Sequence, residues 1–394
     1  MKPIPYGRQS ISEEDINTVI EVLKSDFLTQ GPKIGAFEEE FAKYVGCKYA
    51  VAVANGTAAL HLSALALGVN KDSRIITTPI TFAASANCIR YCGGKVDFVD
   101  IDPVTGLLDM DRVRNLLEKS PLGTYQGIIP VDFAGFPLNL EVLRSLADEY
   151  GLWIIEDACH APGGHFVDSR GVQQFCGNGN YADLAIFSFH PVKHIACGEG
   201  GMITTNSKEL YEKLRILRTH GITKDANLMN ENHGGWYYEM VDLGFNYRLT
   251  DIQAALGMSQ LGRAVESVEK RTKIAEIYDK AFHGNEEIRI LNPMAGRSQW
   301  SYQYGHAYHL YVILSNRRKE LYDYLKKNNI HAQIHYIPLH LQPYYQQFGW
   351  SKGDFPMAES YYNECLSLPI FPSLDENEQQ YIIENVLRFS ENID

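Results

Sequence analysis

Long hydrophobic runs are missing from this 394-residue chain. No stretch approaches the roughly 20 consecutive apolar residues that a membrane span needs, and the opening MKPIPYGRQS has no secretory-type apolar core. A cytoplasmic protein without membrane partners is expected. Paired cysteines are missing too. The seven present, Cys47, Cys88, Cys92, Cys159, Cys176, Cys197 and Cys365, are odd in number, scattered and without a C-x-x-C pair. That argues against a disulfide framework and points to no zinc site, so no metal is expected. No basic block offsets the formal net charge of -12, which repels a polyphosphate backbone, and nucleic acid is not an expected partner. A small phosphorylated ligand stays compatible with that charge, since one site needs only a few local donors. A nicotinamide dehydrogenase would need a G-x-G-x-x-G turn after its first strand, and the glycines of Gly198-Glu-Gly-Gly201 are not that turn.

What the chain does have is an ordinary globular composition, 45% hydrophobic and 21% charged, so it should fold into packed cores. Its length exceeds the size at which single cores stop growing, so two domains are expected. Short apolar runs, mostly rich in β-branched residues, mark buried strands at 49–54, 74–78, 96–99, 127–131, 152–156, 184–188 and 201–205. Between them, apolar residues at three- and four-residue spacing predict helices at 57–67, 109–118, 139–150 and 208–219. Strand and helix in alternation make an α/β fold with a mainly parallel sheet, whose ligands sit at the carboxyl ends of the strands. A long helical stretch at 250–282 leads to a strand at 306–314, a helix at 317–328 and a strand at 331–336. The expected division is therefore a large domain over 1–250, with an N-terminal arm at 1–30, and a connecting helix with a small C-terminal α/β domain over 251–394. Residues 225–240, rich in Asn, Gly and aromatics without periodicity, read as an exposed loop.

Three segments carry chemistry. In Phe187-Ser-Phe-His-Pro-Val-Lys193-His-Ile-Ala-Cys-Gly-Glu-Gly-Gly201 a strand ends, a lysine follows, and glycines permit close backbone approach. A lysine whose pKa is lowered there forms a Schiff base with an aldehyde cofactor, and Ser188 offers a hydroxyl to a phosphate. In Leu152-Trp-Ile-Ile-Glu-Asp157-Ala-Cys-His160, an apolar strand ends in carboxylates; one of them at a pyridine nitrogen keeps the ring protonated and electron-withdrawing. His160 is placed to meet a ring oxygen. In Asn55-Gly56-Thr57, a helix begins directly after a strand, which makes an anion site from free N–H groups and the helix dipole. Phe82 offers a face for a flat ring. Taken singly, each has a structural explanation: a lysine near a turn, an Asp capping a helix, an Asn-Gly cap, a core phenylalanine.

Taken in order, Asn55-Gly-Thr-Ala-Ala-Leu60, Thr78-Pro-Ile-Thr-Phe82, Glu156-Asp-Ala-Cys-His-Ala161, the Phe187 to Gly201 segment and Gly244-Phe-Asn-Tyr-Arg-Leu-Thr-Asp-Ile-Gln-Ala-Ala-Leu-Gly257 resemble the DegT-type sugar aminotransferases over nearly the whole chain. The resemblance implies the aspartate-aminotransferase fold (fold type I) of enzymes dependent on pyridoxal 5'-phosphate (PLP). It implies Lys193 as the Schiff-base lysine, Asp157 at the pyridine nitrogen, His160 at the phenolic oxygen and Phe82 stacked on the ring. Gly56, Thr57 and Ser188 match phosphate-binding positions, and Asn246 matches one that reaches the phosphate of a neighbouring subunit, so a homodimer with shared sites is expected. Tyr6, Thr29, Arg248, Gln333, His335 and Tyr336 match positions around the sugar nucleotide. These are similar to members that move an amino group from L-glutamate, through pyridoxamine phosphate, to C4 of a UDP-4-keto-6-deoxy-N-acetylhexosamine for pseudaminic acid synthesis. Asp26 and the longer 225–240 loop depart from that subgroup. A dTDP-linked 3- or 4-keto-sugar is the alternative substrate, and a non-catalytic sensor of PLP or a sugar nucleotide the alternative of another class. Family dehydratases lack the lysine, so Lys193 argues for amino transfer.

Overall fold

The computed structural model describes residues 2–291 and 304–391. Its central sheet has seven strands: β1 (Tyr49–Val53), β2 (Arg74–Thr77), β3 (Lys95–Phe98), β4 (Gly127–Ile129), β5 (Trp153–Asp157), β6 (Leu184–Ser188) and β7 (Gly201–Thr205). They lie in the order β1-β7-β6-β5-β4-β2-β3. Every neighbouring pair is parallel except those of β7, which runs antiparallel to both β1 and β6. Strands such as β2, β5 and β7 are buried on both faces, which is why they read as continuous apolar runs rather than alternations. All seven expected strands are present, with ends shifted by no more than a residue or two.

Helix α1 (Gly56–Ala66) starts immediately after β1 because Asn55, in extended backbone, takes the N–H of Ala58 on its side chain at 2.8 Å. The helix is apolar nearly all round and buried nearly all round, so no amphipathic stripe is needed. The β6–β7 connection closes tightly: Phe189 N–H donates to Gly200 O (2.8 Å) and Cys197 N–H to Phe189 O (2.9 Å). Gly201 is required there, since a Cβ would stand 2.5 Å from the Asn55 carbonyl oxygen. The helix start and the Lys193 loop are thereby pressed together.

Three expectations are corrected and one element, a helix in the arm, is added. The long helix at 250–282 is two helices, α2 (Asp251–Leu261) and α3 (Ala264–Phe282), broken at Gly262 and Arg263. The arm at 1–30 contains a helix, Glu13–Leu23, held to α2 by buried Asp15, which accepts from Ser259 Oγ and Gln260 Nε2 and pairs with Arg263. Its Ile16, Val19, Ile20 and Leu23 repeat at three- and four-residue spacing, a helical stripe that the sequence does carry, with Ile16, Ile20 and Leu23 exposed. The strand at 306–314 is present only over Tyr311–Leu314, in an antiparallel sheet with Arg289–Ile290 and Cys365–Leu368. The strand at 331–336 is reduced to Ile330–His331, paired with Ile4–Pro5, because the following residues leave that sheet for the cavity described below. The expected helix at 317–328 spans Arg318–Lys327. Residues of α3, Tyr311, Leu366 and Phe389 form a second core that also takes in Ile4 from the chain's start. The 225–240 loop is largely exposed, with its end tied by the pairing of Ile222–Thr223 with Glu239–Met240.

Candidate active site

A cavity of about 430 Å³ opens at the carboxyl ends of the parallel strands, a size typical of small-ligand sites. Lys193 reaches it from the β6–β7 connection. Burial pushes the amine's pKa down to about 8; the nearby Arg271 charge acts in the same direction, while Cys159 and Asp157 oppose it. Its Nζ lies 3.3 Å from Nε2 of His309. The histidines around the amine, His160, His194, His309 and His335, are all held neutral, first by burial and then by neighbouring positive charge, that of Arg271 at His194 and that of Lys193 at the other three.

Asp157 ends β5 and is almost wholly buried. Its Oδ2 accepts from Ser85 Oγ at 2.6 Å and its Oδ1 from the Cys159 N–H at 3.2 Å, while Thr81 Oγ1 lies 2.8 Å from Ser85 Oγ. The carboxylate is thus aimed by hydroxyls on the loop and helix after β2. His160 Nδ1 accepts from the Ala134 N–H at 3.3 Å, so its proton sits on Nε2, 3.2 Å from the Tyr336 hydroxyl. Phe82 lines the cavity and is 61% exposed.

Gly56, Thr57, Phe82, Asp157, His160, Ser188 and Lys193 all line this one cavity, together with Tyr6, His335 and Tyr336. Four expected site residues do not. Thr29 pairs with Thr250 and is exposed. Asn246 and Arg248 lie on an extended segment beside β1, bridged to Thr219 and Val53. Gln333 bridges Ser367 and folds its side chain back onto the Ile334 N–H at 2.9 Å. Sequence reasoning missed Ser85, Thr81 and His309. Ser85 follows Phe82 by one helical turn, a weak signal. His309, just ahead of an apolar strand, carries none.

One residue before Asp157, Glu156 is buried against Asp132 and Cys176. Asp132 Oδ1 accepts from the Leu138 N–H (2.8 Å) and Glu156 Oε2 from the Gly177 N–H (2.9 Å), leaving Asp132 Oδ2 and Glu156 Oε1 without partners. A single shared proton satisfies both, and burial raises both carboxyl pKa values accordingly. The native pair therefore holds a proton that the unfolded chain has released above its ordinary carboxyl pKa, and stability falls as pH rises from there through the folded pKa. Glu156→Gln supplies a permanent N–H in its place. The variant should gain on the parent by about 1.4 kcal/mol per pH unit above roughly pH 4.5. Thermal melts from pH 5 to 7 check this, and a stability gap independent of pH would contradict it.

A phosphate-bearing pyridine aldehyde fits these residues. The first N–H groups of α1 have no partners within the helix, and they face the cavity where Gly56 leaves room that a Cβ would close, 3.0 Å from the Ser188 Cβ. A lysine amine of lowered pKa and a fixed carboxylate complete the set. An α/β fold that brings a lysine, an oriented carboxylate and a helix N-terminus together in this way is that of a PLP-dependent aminotransferase. The chain belongs to the DegT/DnrJ/EryC1/StrS aminotransferase family, whose model matches residues 9–387. It is 38% identical to the spore coat polysaccharide biosynthesis protein SpsC of Bacillus subtilis, over 97% of this chain and 96% of that one. It is 34% identical to a UDP-4-amino-4,6-dideoxy-N-acetyl-beta-L-altrosamine transaminase of Campylobacter jejuni, over 99% and 98%. Among solved structures, Helicobacter pylori PseC, an aminotransferase of pseudoaminic acid biosynthesis, superposes with a TM-score of 0.87 at 31% identity, covering 100% of both chains. Solved neighbours exist in PLP and PMP forms. The protein is a PLP-dependent sugar aminotransferase acting on nucleotide sugars. Among the described residues, no helix is long and apolar enough to cross a membrane.

Proposed function

We propose that this enzyme transfers an amino group from L-glutamate to C4 of a UDP-4-keto-6-deoxy-N-acetylhexosamine, giving a 4-amino-4,6-dideoxy sugar nucleotide for pseudaminic acid or a related surface glycan. The observation that carries the reading is the joining of Tyr6, His335 and Tyr336, from opposite ends of the chain, over the cavity that holds Lys193. The same positions suggested the UDP-sugar subgroup from sequence. Similarity to the Campylobacter and Helicobacter proteins supports it. A dTDP-linked 3- or 4-keto-sugar is the rival, and the 38% identity to SpsC, whose name specifies no sugar, keeps it in play. Steady-state assays with UDP- and dTDP-linked 4-keto-6-deoxy sugars separate the two. Preference for the dTDP sugar would overturn the first reading.

Bound PLP supplies the electron sink and carries the amino group from donor to acceptor. Lys193 Nζ takes a proton from the α-carbon of glutamate in one half-reaction and delivers one to C4 of the sugar in the other. Asp157 holds the ring nitrogen protonated, Nε2–H of His160 meets the phenolic oxygen in place of Tyr336, and Phe82 covers the ring. Gly56, Thr57 and Ser188 hold the phosphate. Residues 1–250 serve as the cofactor-binding domain and 251–394 as the smaller domain that lends His309, His335 and Tyr336 to the cavity. Thr29, Asn246 and Arg248, which lie outside the cavity of their own chain, act in a second copy, Asn246 on its phosphate, in a cytoplasmic homodimer. Gln333 is assigned to the sugar nucleotide, with its side chain turning outward to do so.

The lowered pKa of Lys193 has a direct consequence. Only the neutral amine attacks an aldehyde, so reconstitution of cofactor-free enzyme with PLP should accelerate as pH rises and level off above an apparent pKa near 8. Stopped-flow spectra between pH 6 and 10 read this, and a midpoint near that of free lysine would contradict the burial of the amine.

A further inference from the structure

Lys193 and His194 also border a second cavity, of about 50 Å³, between residues 8–10 and the first turns of α3. Its wall includes Arg271, which is 1% exposed. Arg271 Nη1 donates to the carbonyl oxygens of Ile370 (3.0 Å), Tyr308 (3.1 Å) and His309 (3.4 Å), but Nε has no partner, and no carboxylate pairs with this guanidinium among the described residues. Neighbouring cations are accounted for: Arg263 pairs with Asp15, Lys270 with Glu266, and Arg8 lies over the Phe371 ring. A buried charge without a counter-charge is costly. Three further buried atoms along this wall also lack partners: Arg263 Nε, Ser267 Oγ and His194 Nδ1. His194 Nε2–H donates to the Ala307 carbonyl at 2.7 Å, so its Nδ1 is an acceptor. Finally, α3 begins here without a side-chain cap, and the positive end of its dipole favours an anion.

We propose that this cavity binds one compact oxyanion that carries a proton, hydrogen phosphate being the fitting chemistry. Arg271, Arg263 and Ser267 supply donors and His194 Nδ1 receives the anion's own O–H. The space admits roughly three or four waters, which is the room one tetrahedral oxyanion takes and too little for a dicarboxylate. Bound there, the anion neutralises Arg271, whose Nη1 fixes the backbone of His309 beside Lys193, and so braces the amine's surroundings from behind.

The test uses the PLP-loaded enzyme, in which the cofactor's phosphate fills its own site, and titrates inorganic phosphate by calorimetry and thermal melting. One-site saturation with a rise in melting temperature is expected. Ser267→Glu places a carboxylate in the cavity; it should raise the melting temperature in phosphate-free buffer and weaken phosphate binding by at least about tenfold. Ser267→Ala, with no new charge, should weaken binding less and serves if the glutamate variant does not fold. Sulfate, lacking the proton at neutral pH, should bind more weakly than phosphate. Absence of saturable binding, or equal binding by the parent and both variants, would overturn the site. Equal binding of sulfate would overturn the role given to His194.

Discussion

Lys193→Ala is expected to lower overall amino transfer by at least about a thousandfold while leaving the fold and PLP binding in place. The size follows from what the side chain does in this site. At a pKa of about 8, roughly a tenth of the amine is neutral at pH 7, against about three in ten thousand for a free lysine. That neutral amine, 3.3 Å from His309 and surrounded by uncharged histidines, belongs to the only lysine on the cavity wall among the described residues. Without it the cavity loses the amine that can link to an aldehyde and move the proton in both half-reactions. The proposed phosphate-binding residues Gly56, Thr57 and Ser188 are untouched, so the variant should still retain PLP, with the spectrum of the free aldehyde rather than that of a lysine-linked cofactor. Turnover followed by 2-oxoglutarate release checks the first point and dialysis against PLP the second. An undiminished rate would remove Lys193 from the chemistry altogether.

Asp157→Asn should cost about 10² to 10³ in kcat, because an amide in place of the carboxylate no longer holds a proton on the pyridine nitrogen. The substitution is nearly isosteric: the amide oxygen can keep the Cys159 N–H while the amide NH2 donates to Ser85 Oγ, which turns its own proton to Thr81 Oγ1, so the melting temperature should move little. The loss should fall on proton abstraction: solvent exchange of the α-proton of L-glutamate slows with kcat, whereas PLP affinity changes far less. Ser85→Ala leaves the charge but loosens its aim, and about a tenfold loss is expected there. If Asp157→Asn slowed exchange no more than Ser85→Ala did, the carboxylate's charge would not be its contribution.

The parallel core is legible in the sequence because doubly buried strands must be largely apolar, and six such runs occur with helices between most of them, the edge strand β3 being marked instead by Val96, Phe98 and Val99. The motifs at 55–60, 156–161 and 187–201 are legible for a related reason: a helix start, a strand end and a glycine-rich turn impose residue types at fixed neighbouring positions. The helix Glu13–Leu23 is legible too, from Ser12 as its cap and apolar residues at 16, 19, 20 and 23, although the expected arm did not include it; the break between α2 and α3 is not, since it turns on a single glycine. His309 is legible only in three dimensions, where Arg271 ties its backbone beside Lys193 from the far side. Thr29, Asn246 and Arg248 are a different case, because a single chain leaves them outside its own cavity.

The central claim is a two-step amino transfer through Lys193-linked PLP, and the visible spectrum of the PLP-loaded enzyme tests it most directly. L-Glutamate should abolish the visible band of the lysine-linked cofactor, and a UDP-4-keto-6-deoxy-N-acetylhexosamine added afterwards should restore it in proportion to the amino sugar formed. A band that persists unchanged with glutamate and every other amino donor would contradict the account and leave a protein that holds its cofactor without using it.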